Sequence, residues 1–200
     1  MRNHNSKRLF KYWNSLRGLR SAPDRREIEP SDIREILGDT FILELDHNYR
    51  NLSFRLAGTR LCNAHGRELK GVGFLSLWDE TDNMQVYKCV SRVFQHSEPC
   101  VIFYTAESEQ GKTAKYEMLL LPLLNGTESA SRILGISTPL ESLIWLGSDP
   151  LSNCILKSGR YIKPEHETAE QAPPLVPEIA ATDTSNRKVR HLTIIDGGMD

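Results

Sequence analysis

Long apolar runs are missing: nowhere does the chain approach the roughly 20 consecutive apolar residues that span a bilayer. The basic N-terminus leads into no apolar stretch, which speaks against a secretory leader. Net charge is nearly absent, at −1, so no overall field favours nucleic acid or an anionic membrane. Cysteine is sparse. Cys62, Cys89, Cys100 and Cys154 stand far apart with no C-x-x-C pair, and a chain of this length does not depend on disulfides. Reduced thiols and a cytoplasmic location are therefore expected. Also absent are a G-x-G-x-x-G loop, a Walker loop and a G-x-S-x-G elbow, which removes the support for a phosphate cradle or a serine hydrolase. The carboxylate pairs Asp79/Glu80 and Glu107/Glu109 fall in turns, where water solvates them. No residue is assigned to catalysis.

What is present is uneven. Residues 1–26 carry Arg2, Lys7, Arg8, Lys11, Arg17, Arg20, Arg25 and Arg26 against the single acid Asp24. The stretch 145–183 carries Asp149, Glu165, Glu167, Glu170, Glu178 and Asp183 against Lys157, Arg160 and Lys163. A basic head and an acidic tail either meet each other, meet different partners, or are simply two solvated surfaces.

Leu9, Trp13 and Leu16 recur at helical spacing and predict a first helix over about residues 5–18, closed by Gly18. A short helix is expected after Pro30, with Ser31 as N-cap and Ile33, Ile36 and Leu37 facing inward. Phe41–Leu45 and Leu52–Ala57 read as a hairpin around the turn Asp46–Asn51. Thr59–His65 is expected to make a helical turn. Asp82 and Gln85 resemble a capping box opening a long helix with Val86, Val90, Val93 and Phe94 on one face. Cys100–Ala106, Thr113–Leu124 and Arg132–Thr138 read as three strands, with Glu109–Lys112 and Asn125–Glu128 as the turns between them. Leu119-Leu120-Leu121 breaks the alternation, so both faces of the middle strand are expected to be covered. Beyond Trp145 the periodicity fades, and 164–187 has linker-like composition before a strand-like Val189–Ile195.

This order predicts an α+β domain: a five-stranded antiparallel sheet, helices packed on one face, and an N-terminal helical flank. The expected divisions are a helical cap over 1–40, a core over 41–145, an acidic proline-containing linker over 146–188, and a terminal strand-like piece over 189–200.

Several segments carry a resemblance to a known family. They are Trp13-Asn14-Ser15-Leu16-Arg17-Gly18, then Pro23-Asp24-Arg25-Arg26-Glu27-Ile28-Glu29-Pro30, then Ile36-Leu37 and Phe41-Ile42-Leu43-Glu44. Phe54-Arg55-Leu56-Ala57-Gly58-Thr59 runs into Gly66-Arg67-Glu68-Leu69-Lys70-Gly71, with Trp78 soon after and Leu192–Gly198 at the end. In order and spacing they resemble a bacterial family of PAS-like proteins in which the domain is nearly the whole chain. The likeness covers about residues 7–140 plus the last dozen. It implies a non-enzymatic sensory or protein-interaction module in signalling, with a ligand cavity between sheet and helices.

The resemblance places Arg55, Arg60, His65, Trp78, Tyr104 and Tyr116 at or near such a cavity, lined by Phe41, Leu43, Leu56, Trp78, Val90, Phe103, Tyr104 and Tyr116. On a half-buried hairpin Arg55 reads first as a surface arginine, with the pocket edge as the alternative. Cys62 and His65 have C-x-x-H spacing, but a tetrahedral metal site wants two more ligands and no second pair exists. The order Cys62-Asn63 with no arginine following departs from the flavin-adduct motif, and His96 at a helix end is a poor axial haem ligand. No cofactor and no metal is assigned. The stripe Leu9, Trp13, Leu16 either packs on its own domain or makes a two-helix contact in a homodimer. A signalling protein is the expected partner, with no membrane; nucleic-acid binding through the basic head near Tyr12 and Trp13 is a lesser rival, since no helix-turn-helix or RNA-binding signature accompanies it. The rival reading from another class is a small-molecule enzyme on a related scaffold, which would need convergent polar groups in the cavity.

Overall fold

The computed structural model describes residues 1–45, 52–126 and 130–163. Expectations for the turn 46–51, for 127–128, for the linker from 164 onward and for Val189–Ile195 lie outside the described residues. The chain opens with α1 (His4–Arg17), followed by 3-10 turns at Arg25–Glu27, Pro30–Ile33 and Leu37–Asp39. Strands β1 (Thr40–Leu45) and β2 (Leu52–Ala57) precede α2 (Thr59–Ala64), a 3-10 turn at Phe74–Leu77, and α3 (Asn83–His96). Strands β3 (Cys100–Ser108), β4 (Thr113–Leu124), β5 (Ala130–Pro139) and β6 (Leu151–Tyr161) follow. No helix among the described residues is long and apolar enough to cross a membrane.

The strands pair antiparallel, in the order β2-β1-β5-β4-β3-β6. Among the described residues the sheet therefore has six strands rather than the five expected. The sixth, Leu151–Tyr161, occupies part of the stretch read as linker. Its sequence is rich in Ser, Asn and Gly, and two register shifts against β3 break the period-two alternation that would have marked it.

One face of the sheet is roofed by α2, the Phe74–Leu77 turn and α3. Val86, Cys89, Val90, Val93 and Phe94 on α3 bury against Phe41, Leu43, Ile102, Tyr104, Tyr116 and Leu120. The other face is covered by the N-terminal flank. There Leu9, Phe10 and Trp13 pack on Leu119, Leu121, Leu134 and Ile136, while Ile33 and Ile36 cover Ile42. The run Leu119–Leu121 is thus buried on both sides, as its composition predicts. Leu9 and Trp13 have no exposed surface and Leu16 is half-buried, so the apolar stripe packs on its own domain.

Two local readings are corrected. No helix starts from a Ser31 cap: Pro30–Ile33 is a single 3-10 turn without a side-chain cap, although Ile33 and Ile36 do bury. Asp82 precedes α3 but makes no capping hydrogen bond. Its carboxylate instead accepts the Leu156 N–H on β6 at 2.7 Å.

That contact belongs to a strap. Residues 71–82 cross the helical side and touch both rims of the sheet. At one end the Phe54 N–H donates to Val72 at 3.0 Å and the Gly71 N–H to Phe54 at 2.6 Å; Ser53 bridges Gly73. At the other Trp78 bridges Cys154, the Asp79 N–H donates to the Cys154 carbonyl at 2.9 Å, and Asp82 takes Leu156.

Candidate functional site

Beneath the strap the interior is filled by rings. Phe41 and Phe54 lie 5.5 Å apart between centroids, Phe54 and Phe74 5.6 Å, Phe74 and Trp78 5.8 Å. The row continues through Trp78 and Tyr104 at 5.1 Å to Tyr104 and Tyr116 at 5.2 Å. Gly135 makes room for it, since a Cβ there would sit 2.1 Å from the Phe41 ring.

Six of the eight expected lining residues belong to this interior: Phe41, Leu43, Trp78, Val90, Tyr104 and Tyr116. Leu56 and Phe103 do not. Leu43 faces Phe54 while Ile42 faces Leu56, so Arg55 is an extra residue on β2, and the bulge puts Leu56 on the opposite side, half exposed. Phe103 adjoins Tyr104 in a strand, so the two cannot share a face.

The ring row ends at a pocket of about 260 Å³ lined by Asp39, Arg60, Leu61, Asn63, Ala64, Tyr116, Ser137, Pro139, Leu146 and Gly147. At its base the buried Tyr104 hydroxyl and Ser137 Oγ share a hydrogen bond of 2.6 Å. At its rim the Arg60 guanidinium grips Asp39 through two hydrogen bonds of 2.8 and 2.7 Å and donates to the Glu35 carbonyl at 3.1 Å. Such a two-pronged pair fixes geometry as well as charge.

The hydrogen bonds Arg60 donates to Asp39 raise the Arg60 pKa, and burial raises those of Tyr104 and Tyr116. Burial also pushes the neighbouring Cys154 thiol up to about 12. At neutral pH the tyrosines and this thiol keep their protons. The site offers hydrogen-bonding hydroxyls, apolar ring surface and the Asp39 carboxylate held by Arg60.

Of the six expected site residues, Arg60 and Tyr116 line this pocket, Tyr104 underlies it through Ser137, and Trp78 stacks behind Tyr104. The Trp78 Nε1 is buried with no hydrogen-bond partner among the described residues. Arg55 lies elsewhere, exposed and paired with Glu44 at 3.1 Å. His65 is also elsewhere. It is buried at the end of α2 with Nδ1 3.3 Å from the Leu151 carbonyl, and burial pushes its pKa down to about 4. Cys62 points its sulfur toward the Ala57 carbonyl and Glu68, so Cys62 and His65 do not converge. Among the described residues no group of three or more His, Cys, Asp or Glu side chains could hold a metal ion.

Sequence reasoning missed Asp39 and Ser137. Asp39 follows Gly38 and reads as turn chemistry, and only the folded chain brings it to Arg60. Ser137 lay within a predicted strand, where alternation could have placed it opposite Ile136.

Comparison with protein families matches residues 1–138 to the PAS domain. No curated protein matches this chain. Among solved structures, a light-oxygen-voltage domain studied with a flavin analogue aligns at TM-score 0.45 and 12% identity, covering 59% of this chain and 87% of its own. The Rhodobacter sphaeroides LOV protein aligns at 0.43 and 11%, covering 56% and 69%. The PAS domain of a Colwellia psychrerythraea protein aligns at 0.39 and 13%, covering 56% and 97%.

Proposed function

The chain belongs to the PAS domain family, and on that premise we propose that it is a non-enzymatic sensory or protein-interaction module of bacterial signalling. The observation that carries the reading is the pocket at the end of the ring row. It offers hydroxyls from Tyr116 and Ser137 and an Arg60–Asp39 pair whose carboxylate is already engaged by the guanidinium. Its volume of about 260 Å³ lies below the roughly 300–1,000 Å³ usual for drug-sized ligands, which selects a small molecule with a polar end.

Signalling follows from where the pocket lies. It sits between α2, the residues before β1, and strands β4 and β5. A ligand that binds one spacing of α2 against the sheet better than another shifts the population between them. The altered surface is then read by a signalling protein.

Native mass spectrometry of the full chain isolated from cells tests this. The expected result is the added mass of a small organic molecule, diminished by Tyr116→Phe and by Ser137→Ala. Turnover of a metabolite by the purified chain would overturn the non-enzymatic reading. A chain with no added mass, whose melting point no small metabolite moves, would overturn the sensory one.

A further inference from the structure

The short helix α2 turns one face toward the pocket. Arg60 stands three residues from Asn63 and four from Ala64, so a single turn sets them side by side. Across the opening Tyr116 on β4 pairs with Pro139 on β5, and Ser137, two residues earlier, shares the Pro139 face. Leu61, Ala64, Pro139 and Leu146 supply apolar wall between the polar groups.

Two of those polar groups are unengaged. Tyr116 is only 3% exposed, yet its hydroxyl has no hydrogen-bond partner among the described residues. The Asn63 side-chain amide at the exposed rim has none either. A hydroxyl and a carboxamide each both give and accept hydrogen bonds, and a buried one left unmet is costly. Ser137 differs, because its hydroxyl is already shared with Tyr104.

The charges, by contrast, are engaged with each other. Asp39 and Arg60 are the charged groups among the described lining residues. Arg60 Nε meets one oxygen of Asp39 and Nη2 the other, so the pair presents no net charge to the pocket. An entering anion would lie near Asp39, and an entering cation near the guanidinium. Neither finds a free counter-ion to offset the loss of its hydration. A neutral group carrying a donor and an acceptor loses far less and answers Tyr116 and Asn63 together.

Resting on the sensory reading above, we propose that this pocket selects an uncharged ligand, a small alcohol or carboxamide. Its polar end is met by the Tyr116 hydroxyl and the Asn63 amide, and its carbon body lies on Leu61, Ala64 and Leu146. The Arg60–Asp39 pair sets the specificity by rejecting carboxylates and ammonium ions of the same shape. One aromatic ring fits: a cavity of roughly 150 Å³ accepts benzene, and this one holds about 260 Å³.

Saturation-transfer NMR titrations of the full chain at neutral pH test this with benzamide, benzoate, benzyl alcohol and benzylammonium, which share one ring. The neutral probes are expected to bind at least about tenfold more tightly than the ions. Tyr116→Phe should weaken the neutral probes several-fold. Asp39→Asn leaves Arg60 unbalanced and should turn the preference toward benzoate, while Arg60→Gln should turn it toward benzylammonium. The double variant Asp39→Asn/Arg60→Gln buries no lone charge, so it keeps the comparison open if a single variant fails to fold, and it should again prefer the neutral probes. Ions bound by the parent as tightly as benzamide, neutral binding untouched by Tyr116→Phe, or no binding of any probe would each overturn the proposal. A molecule retained from cells that is ionised at neutral pH would overturn it and leave the sensory reading standing, whereas a chain that neither carries nor binds a small molecule would end both.

Discussion

The indole Nε1 of Trp13 donates to the carbonyl of Pro122 across 2.8 Å, joining the first helix to a central strand 109 residues away. Pro122 is tolerated there because β3 ends its pairing at Cys100, opposite Leu120, so no strand on that side needs an N–H from residue 122. The ring itself is wholly buried.

Two substitutions separate these roles. Trp13→Phe keeps most of the ring but strands the carbonyl, and is expected to cost about 1–3 kcal/mol. Trp13→Ala also opens a cavity and is expected to cost about 3–5 kcal/mol. Chemical denaturation reads both, and equal midpoints for the two variants would refute the separate hydrogen-bond contribution.

His65 makes stability depend on mild acidity. Its folded pKa of about 4 lies below the ordinary 6.5 because burial penalises the charged ring. At pH 7 it is neutral in both states. As pH falls through 6.5 the unfolded chain takes up a proton that the folded chain refuses, so stability drops until about pH 4. The shift corresponds to a loss on the order of 3 kcal/mol. Melting curves of the parent and of His65→Gln between pH 7 and pH 4 should diverge in that window, the variant being the flatter; parallel curves would count against it.

Gly135 is fixed by the ring above it rather than by its backbone. Gly135→Ala drives a methyl into Phe41 and is expected to destabilise by at least about 1–3 kcal/mol, the usual range for overpacking. Combining it with Phe41→Leu should recover part of the loss, because neighbours that share space are not additive. A double variant that melts at the sum of the two losses would disprove the steric cause.

Asp82 offers a test of the strap. Asp82→Ala removes the acceptor for the Leu156 N–H without removing a helix cap, so amide exchange at Leu156 should quicken while helix content stays unchanged. The associated loss is expected near 1 kcal/mol. Loss of helical circular dichroism with slow exchange at Leu156 would restore the capping role instead.

The sequence disclosed much of this architecture because periodicity was strong where burial is one-sided. Val86, Val90, Val93 and Phe94 recur at helical spacing, and they bury as a stripe. Where register shifts intervene the signal fails: the bulge at Arg55 turned Leu56 outward, and two shifts concealed β6. The candidate site was half legible. Arg60, Tyr104 and Tyr116 were singled out, while their partners Asp39 and Ser137 were not, because hydrogen bonds spanning 21 and 33 residues leave no local pattern.

The family match stops at residue 138, yet β3 acquires its outer neighbour only at residues 151–161. A chain shortened to the matched span would lay bare a nine-residue strand with its donors and acceptors in open register, beside Trp78 stripped of its bridge to Cys154. Bare strands of that kind recruit their own kind, and aggregation of the shortened protein is the natural outcome. The eleven residues of β6, plain as their composition is, take up the edge of β3 within the chain itself.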